Sequence, residues 1–301
     1  MYGPPLVLLD LMVNGRANVT PTKGLANSRN DYFWRYPTLT CCLMILPEEA
    51  HLRVREIWSR YYPSQPTQQQ VKELLTQSAI LDQAEHSNLR AVFFGYHDFS
   101  IYHLNRNTAR YFGAEPDQIL GEGPRFIISC IHPKQVEVAI RNTKTTSGLL
   151  HTLPASGKKN YSSTYVNCNI TCRQGNMHRC IFQSFPLLYD EQGNPLIGMF
   201  LIHDVEPFLT DGIWWYRYKI ADHVYHYHSD TDQLLPQDIL SSREIEILKM
   251  IAEGGSSKEI AAKLYLSVNT VDNHRRNMLK RTGAVDTSAL IHVCKICQII
   301  D

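Results

Sequence analysis

Apolar positions recur at helical spacing between Leu240 and Ile296 but alternate at strand spacing between Tyr161 and Val205, and this change of period divides the chain. In the C-terminal stretch Ile245, Leu248 and Ile251 share one helix face, and Ser241 with Glu244 forms the Ser-x-x-Glu pair that satisfies two orphan amides at a helix start. Gly254 and Gly255 stop this helix. Ser256 and Glu259 repeat the pair ahead of Ile260, Ala261 and Leu264, and Tyr265-Leu266 supplies a tight connection. Ser267 caps a third helix on which Val271, His274 and Met278 pack inward, leaving Asp272, Asn273, Arg275, Arg276 and Lys280 turned outward until Gly283 ends it. A fourth helix follows with Ile291, Val293 and Ile296.

The middle of the chain predicts an antiparallel sheet with helices on one side. Ala91 to Tyr96 and Ile101 to Leu104 read as strands joined at His97-Asp98, and helices follow at Asn105 to Phe112, Pro116 to Leu120 and Pro133 to Asn142. Tyr161 to Cys172 then alternates, with Val166, Cys168, Ile170 and Cys172 on one face and Tyr165, Asn167, Asn169 and Thr171 on the other. Gln174-Gly175-Asn176 turns the chain into His178 to Tyr189, and the polar run Asp190 to Pro195 turns it again into Leu196 to Val205. Further on, Tyr216, Tyr218 and Ile220 alternate with Arg217 and Lys219 before Ala221-Asp222, predicting a β-hairpin that extends the sheet. Contiguous aromatics of this density predict a packing or dimer surface, because they are unfavourable when exposed. Ser229 to Asp238 reads as looser chain.

The resulting divisions are an irregular leader over 1–43, a helical segment over 44–87, an α+β unit over 88–207, the aromatic hairpin and linker over 208–236, and an all-α four-helix unit over 237–301. Pro47 to Tyr62, with Leu52, Val54 and Ile57, and Thr67 to His86, with Val71, Leu74, Leu75 and Ile80, form the helices of the second division, expected as a brace or dimer contact. The leader has no sustained period, and one reading sets the natural start at Met44.

The chain has 301 residues, 44% of them hydrophobic, enough for two compact domains. Its net charge is only +1, whereas Ser267 to Gly283 carries +3 from Arg275, Arg276, Lys280 and Arg281 against Asp272. That contrast points the third helix at a polyanion. The eight cysteines form no disulfide framework, which suits a reducing cytoplasm. Cys294-Lys295-Ile296-Cys297 stands without a second pair and falls on a helix among apolar neighbours, so it reads as packing. His223, His226 and His228 lack a Cys or acidic companion fixed by the sequence and read as a surface face, so no metal site is expected. Pro5 to Val13 is too short to span a bilayer. No phosphate-cradling glycine loop, His-Glu-x-x-His or Gly-x-Ser-x-Gly elbow occurs, so no enzyme is expected.

Leu240-Ser241-x-Arg243-Glu244, Lys258-Glu259-Ile260-Ala261, Leu266-Ser267 and Asn269-Thr270-Val271 with His274 together resemble the LuxR/FixJ-type (GerE-like) helix-turn-helix. The resemblance implies base contacts by Asp272, Asn273 and Arg276 and phosphate contacts by Lys258, Thr270, Arg275 and Lys280. Side-chain chemistry agrees, since Arg suits guanine, Asn adenine and a carboxylate the cytosine amino group. Asp272 departs from the basic residue common there and would also stabilise the helix start through the dipole. Thr282 departs from the usual Leu, which predicts softer packing.

The strand-strand-helices-three-strands order, with Asn105 and Ala109, Ile131-His132-Pro133, Asp190 and Gly193, and His203-Asp204-Val205-Glu206, resembles a PAS domain, with a GAF-like sensor as the alternative. That resemblance makes Asp204 the candidate for signal relay and leaves the ligand unknown. No cofactor is evident: Cys130 does not match a flavin-photosensor motif, and His132 reads as a local helix-start residue before it reads as a haem ligand. The two resemblances together imply a bacterial, cytoplasmic one-component transcription regulator that binds promoter DNA as a homodimer, with RNA polymerase as a further partner and no membrane. The alternative is a protein-interaction sensor whose helix-turn-helix docks on a protein.

Overall fold

Two capping boxes, an asparagine cap and a series of prolines at first helical turns set most of the helix starts. The computed structural model describes residues 47–77, 85, 88–152, 163–210, 213–220 and 223–301. The leader, Ile80 and the Ala221-Asp222 turn lie outside them. Helices α1 (Pro47–Tyr61) and α2 (Gln68–Gln77) precede strands β1 (Ala91–Gly95) and β2 (Ile101–Leu104). Four helices follow: α3 (Arg106–Phe112), α4 (Pro116–Glu122), α5 (Pro124–Cys130) and α6 (Pro133–Thr152). Strands β3 (Ser163–Thr171), β4 (Met177–Tyr189) and β5 (Pro195–Asp204) complete the sensor sheet, and β6 (Trp215–Ile220), β7 (His223–His228) and β8 (Gln233–Leu235) extend it. The last four helices are α7 (Ser242–Ala252), α8 (Ser257–Leu264), α9 (Val268–Thr282) and α10 (Thr287–Ile296).

The eight strands form one antiparallel sheet in the order β2-β1-β5-β4-β3-β6-β7-β8. Along the chain β1 to β5 follow the expected succession of two strands, helices and three strands, and the aromatic hairpin joins at β3 through Val166 opposite Tyr216. The stretch read as loose chain supplies β8, which pairs with β7 from His226 opposite Leu235 to His228 opposite Gln233.

One face of the sheet is closed by apolar packing. Val92, Leu104, Cys168, Ile170, Cys180, Phe182 and Ile202 meet Ala109, Phe112, Ile119, Phe126 and Ile127 from α3 to α5. Burying a side chain such as Phe112 contributes about 1.5–3 kcal/mol. Helix α5 was not anticipated, because Phe126, Ile127, Ile128 and Cys130 form a nearly continuous apolar run without a period; Pro124 in its first turn was the available signal. Helix α6 runs past its expected end at Asn142. In its Thr-rich stretch the Thr145 and Thr146 hydroxyls donate to the carbonyls of Arg141 and Asn142 one turn back. Helix α1 braces this side: Ala50 is fully buried against Ile128, Val136 and Ile140, while Leu52, expected inward, is exposed.

The hairpin aromatics Tyr216, Tyr218 and Tyr227 bury with Leu150 of α6, so they close an intrachain core. The opposite face of the sheet is covered as well. Tyr165, Ile181 and Trp215 belong to the same apolar cluster as Ile247, Leu248, Ile260, Val271, Met278 and Leu290 of the last four helices. This is why Tyr165 and Asn167, on the strand face read as polar, are fully buried.

Candidate nucleic-acid interface

The three-helix frame that presents α9 is built by local chemistry. Ser241 accepts from the Glu244 amide while its own amide donates to the Glu244 carboxylate at 2.8 Å, and Ser256 and Glu259 make the same reciprocal pair. Tyr265, 96% exposed, takes a left-handed conformation (φ 55°) between α8 and α9. Ser267 caps α9 by accepting from the Thr270 amide at 3.0 Å, and Gly283 (φ 78°) closes it, a conformation that costs glycine little. Val271 and Met278 are fully buried, whereas Asn269, Asn273, Arg276, Asn277 and Lys280 are exposed and form a stripe along the opposite side.

The sequence-derived site residues are not equivalent in this frame. Asn273 and Arg276 are exposed and hydrogen bonded to one another, with the guanidinium donating to the Asn273 carbonyl oxygen. Lys258 and Lys280 are exposed, and half-buried Thr270 shares a 2.8 Å hydroxyl contact with Ser267. Asp272 and Arg275 are half-buried and tied inward. The Ser257 hydroxyl donates to the Asp272 carboxylate at 2.7 Å and accepts from Arg275 at 3.1 Å, and Arg275 also donates to Thr287 at 3.2 Å. Arg281, counted in the basic charge of the segment, points away from the stripe: it donates to the Ile239 carbonyl at 3.0 Å and pairs with buried Glu244 at 2.7 Å. Burial pushes the Glu244 carboxyl up, but hydrogen bonds from Ser241 and Arg281 outweigh it and leave its pKa below the usual value.

The polar residues on the second face of the sheet were not singled out as functional. Arg217, which alternation placed opposite the tyrosines, is buried, pairs with Asp238 at 2.8 Å and donates to the Cys297 carbonyl at 3.0 Å. Arg179 donates to Asn167 at 3.2 Å and to the carbonyls of Thr210 and Ile213. His226 bonds the Gln237 carbonyl at 2.7 Å, and His228 bonds the Arg281 carbonyl at 2.9 Å through Nε2. Two of the three histidines read as a surface face are therefore buried in docking contacts. Among the described residues no group of His, Cys, Asp and Glu could hold a metal. Cys294 and Cys297 are buried in the shared core, and burial pushes the Cys294 thiol up to about 12.

Thr282, expected to soften the packing, is 1% exposed; its hydroxyl donates to the Met278 carbonyl at 2.8 Å and its own carbonyl accepts from Trp215 Nε1 at 2.9 Å. Asp204 ends β5 and accepts from the Glu206 amide at 3.2 Å, next to Val205 of the shared core. On the helical side of the sheet Gln135 Nε2, Asn142 Nδ2 and the Tyr216 hydroxyl are buried with no hydrogen-bond partner among the described residues. Cys130 is buried and its thiol is raised by burial to about 11, unlike a reactive cysteine.

Residues 238–294 match the family described as "Bacterial regulatory proteins, luxR family". Oxygen regulatory protein NreC of Staphylococcus aureus is 45% identical over 56 residues, which are 19% of this chain and 26% of that protein. The chain thus matches about a quarter of the length of the curated relatives. Among solved structures, a Vibrio cholerae VqmA–ligand–DNA complex aligns over 75% of this chain and 89% of that one, at 15% identity and a TM-score of 0.27. A PAS domain from a two-component sensor histidine kinase aligns over 44% of this chain and 98% of its own, at 12% identity and a TM-score of 0.31. The C-terminal domain is a LuxR-type helix-turn-helix, and the antiparallel-sheet domain precedes it.

Proposed function

We propose that this chain is a bacterial transcription regulator in which α9 reads promoter DNA and the PAS-like sheet domain controls that reading. The observation that carries the proposal is the division of α9 into a buried side, Val271 and Met278, and an exposed stripe holding Asn273, Arg276 and Lys280, within the segment that matches the luxR family. Arg276 can bond a guanine edge bidentately, Asn273 suits adenine, and Lys258 and Lys280 supply phosphate contacts. Asp272 and Arg275 are proposed to act at the edge of the same site, for a base and a phosphate respectively, after exchanging their contacts with Ser257. Thr270, at the first turn, completes the phosphate set.

DNA recognition of this type works as a two-fold dimer on inverted half-sites about one helical turn apart. The sensor acts by changing dimer geometry or the freedom of the docked helices, with Asp204 at the exit of β5 as the relay. The protein works in the cytoplasm; among the described residues no helix is long and apolar enough to cross a membrane. Selection of binding sites from random duplex DNA by the full chain, at two salt concentrations, tests the proposal. A palindromic enriched site supports it, and an absence of enrichment at both salts, together with stable capture of a protein partner through α9, would replace DNA with that partner.

A further inference from the structure

The recognition helix ends on the sensor. An α-helix leaves its last carbonyls without intrahelical donors, and these are ordinarily satisfied by water, by a local turn or by nearby side chains. In α9 the Leu279 carbonyl accepts from the Gly283 amide at 2.9 Å in the usual local manner. The carbonyls of Arg281, Thr282 and Gly283 bond outside their own domain. Arg281 O meets His228 Nε2 at 2.9 Å, Thr282 O accepts from Trp215 Nε1 at 2.9 Å, and Gly283 O accepts from both the Thr210 amide at 2.7 Å and the Thr210 hydroxyl at 3.0 Å. Next to these, Leu209 and Ala284 form an isolated antiparallel bridge, with the Val285 amide donating to Phe208 O at 3.0 Å.

We infer that Trp215, His228 and Thr210 are positioning residues for DNA reading: the sensor sheet supplies the C-terminal cap of the recognition helix. The protonation pattern fits. His228 Nδ1 accepts from the Asp230 amide at 3.2 Å, so Nε2 carries the proton that the Arg281 carbonyl requires. Trp215 is fully buried and has a single donor, which is spent on Thr282. Trp215 and His228 are directly opposite one another in the β6–β7 pair, and β6 is paired with β3 of the sensor, so two of the three capping groups sit on continuous sheet. Lys280 is exposed in the turn that this cap holds, immediately before the capped carbonyls. A sheet that shifts therefore loosens or tightens the turn carrying a phosphate contact while Asn273 and Arg276, nearer the start of the helix, stay in place.

This inference rests on the proposal that α9 reads DNA, but the cap itself is testable without DNA. The pair of variants is His228→Leu, which removes the donor, and His228→Gln, whose amide restores one. In the full chain, hydrogen exchange at the amides of Thr282 and Gly283 is measured first, then binding to a random-sequence duplex pool. The expected result is exchange faster by roughly three- to tenfold in His228→Leu, near wild-type exchange in His228→Gln, and a loss of duplex affinity of similar size in the first variant only. Thr210→Val against Thr210→Ser, at an exposed position, repeats the test where folding is least at stake. Equal exchange in the wild type, in His228→Leu and in Thr210→Val, which loses the hydroxyl and keeps the amide donor, would overturn the cap. Faster exchange with unchanged duplex affinity would overturn its role in DNA reading, and wild-type failure to bind any duplex would refute the parent proposal while leaving the exchange result to decide the cap.

Discussion

The two faces of the sheet are closed by different forces. On the face toward α3–α5, Phe112, Phe126, Ile119 and Ile170 exclude water by area alone, and packing there is non-directional. On the other face Ile181 and Trp215 supply apolar contact, but Arg217, His226, His228 and Trp215 also place donors on the main-chain carbonyls of the C-terminal half. Main-chain carbonyls have fixed positions, so this face specifies where the helix-turn-helix sits as well as that it sits. One face makes a domain, and the other makes a register between two domains.

Truncating the apolar face should have the largest effect. Phe126→Ala removes a fully buried ring packed edge-on against Phe112 at 5.6 Å and should cost about 3–5 kcal/mol in urea unfolding, with little dependence on salt. A loss below about 1 kcal/mol would mean that this face is not a packed core.

On the hydrogen-bonded face, Asp238→Ala should cost about 3 kcal/mol, because it removes the carboxylate paired with the buried Arg217 guanidinium and leaves it the Cys297 carbonyl and the Tyr165 ring face. Restoration by the double change Arg217→Met with Asp238→Ala would sharpen the contrast, since it turns a directional contact into an apolar one; a double variant as unstable as the single one would break it.

His203 tests the same face by pH. Burial, with His292 and Arg90 nearby, holds its pKa down to about 4, and the neutral ring donates to the Gln183 carbonyl oxygen at 3.0 Å. The unfolded chain takes up a proton near pH 6.5 while the folded chain does not, so stability should fall as pH drops from 6.5 to 4 by roughly 2–3 kcal/mol. It is regained above pH 6.5. His203→Asn should flatten that part of the profile, and an unchanged profile would assign the acid sensitivity elsewhere.

The smallest effect belongs to local capping. Ser241→Ala should cost about 1 kcal/mol in thermal unfolding and leave DNA binding intact, and a much larger loss would show that the cap also holds the Glu244–Arg281 pair.

The same distinction explains what could be read from the chain. Ser241, Ser256, Ser267 and Gly283 act on residues within a turn of themselves, so the four C-terminal helices were legible, the first three with their caps, while the Asp286 cap of the fourth was not read. The strands from Ser163 to Asp204 were legible because one face is closed by apolar alternation. Docking was not, since Trp215 meets Thr282 and Arg217 meets Cys297 across 67 and 80 residues of sequence and leaves no local period. Alternation did place Arg217 opposite the tyrosines, but a charged position in a strand reads as solvated until the surface covering it is known. Asp272 and Arg275 show the same limit inside one domain: helical spacing turned them outward, and Ser257 on the neighbouring helix draws them back.

DNA reading by the exposed stripe of α9 stands or falls on Arg276→Ala in the full chain, titrated against the duplex selected by the wild type. The variant should lose roughly 1–3 kcal/mol of affinity, with relaxed discrimination at a single base position and wild-type hydrogen exchange at Thr282 and Gly283. Unchanged affinity and an unchanged preferred base at every position would contradict it.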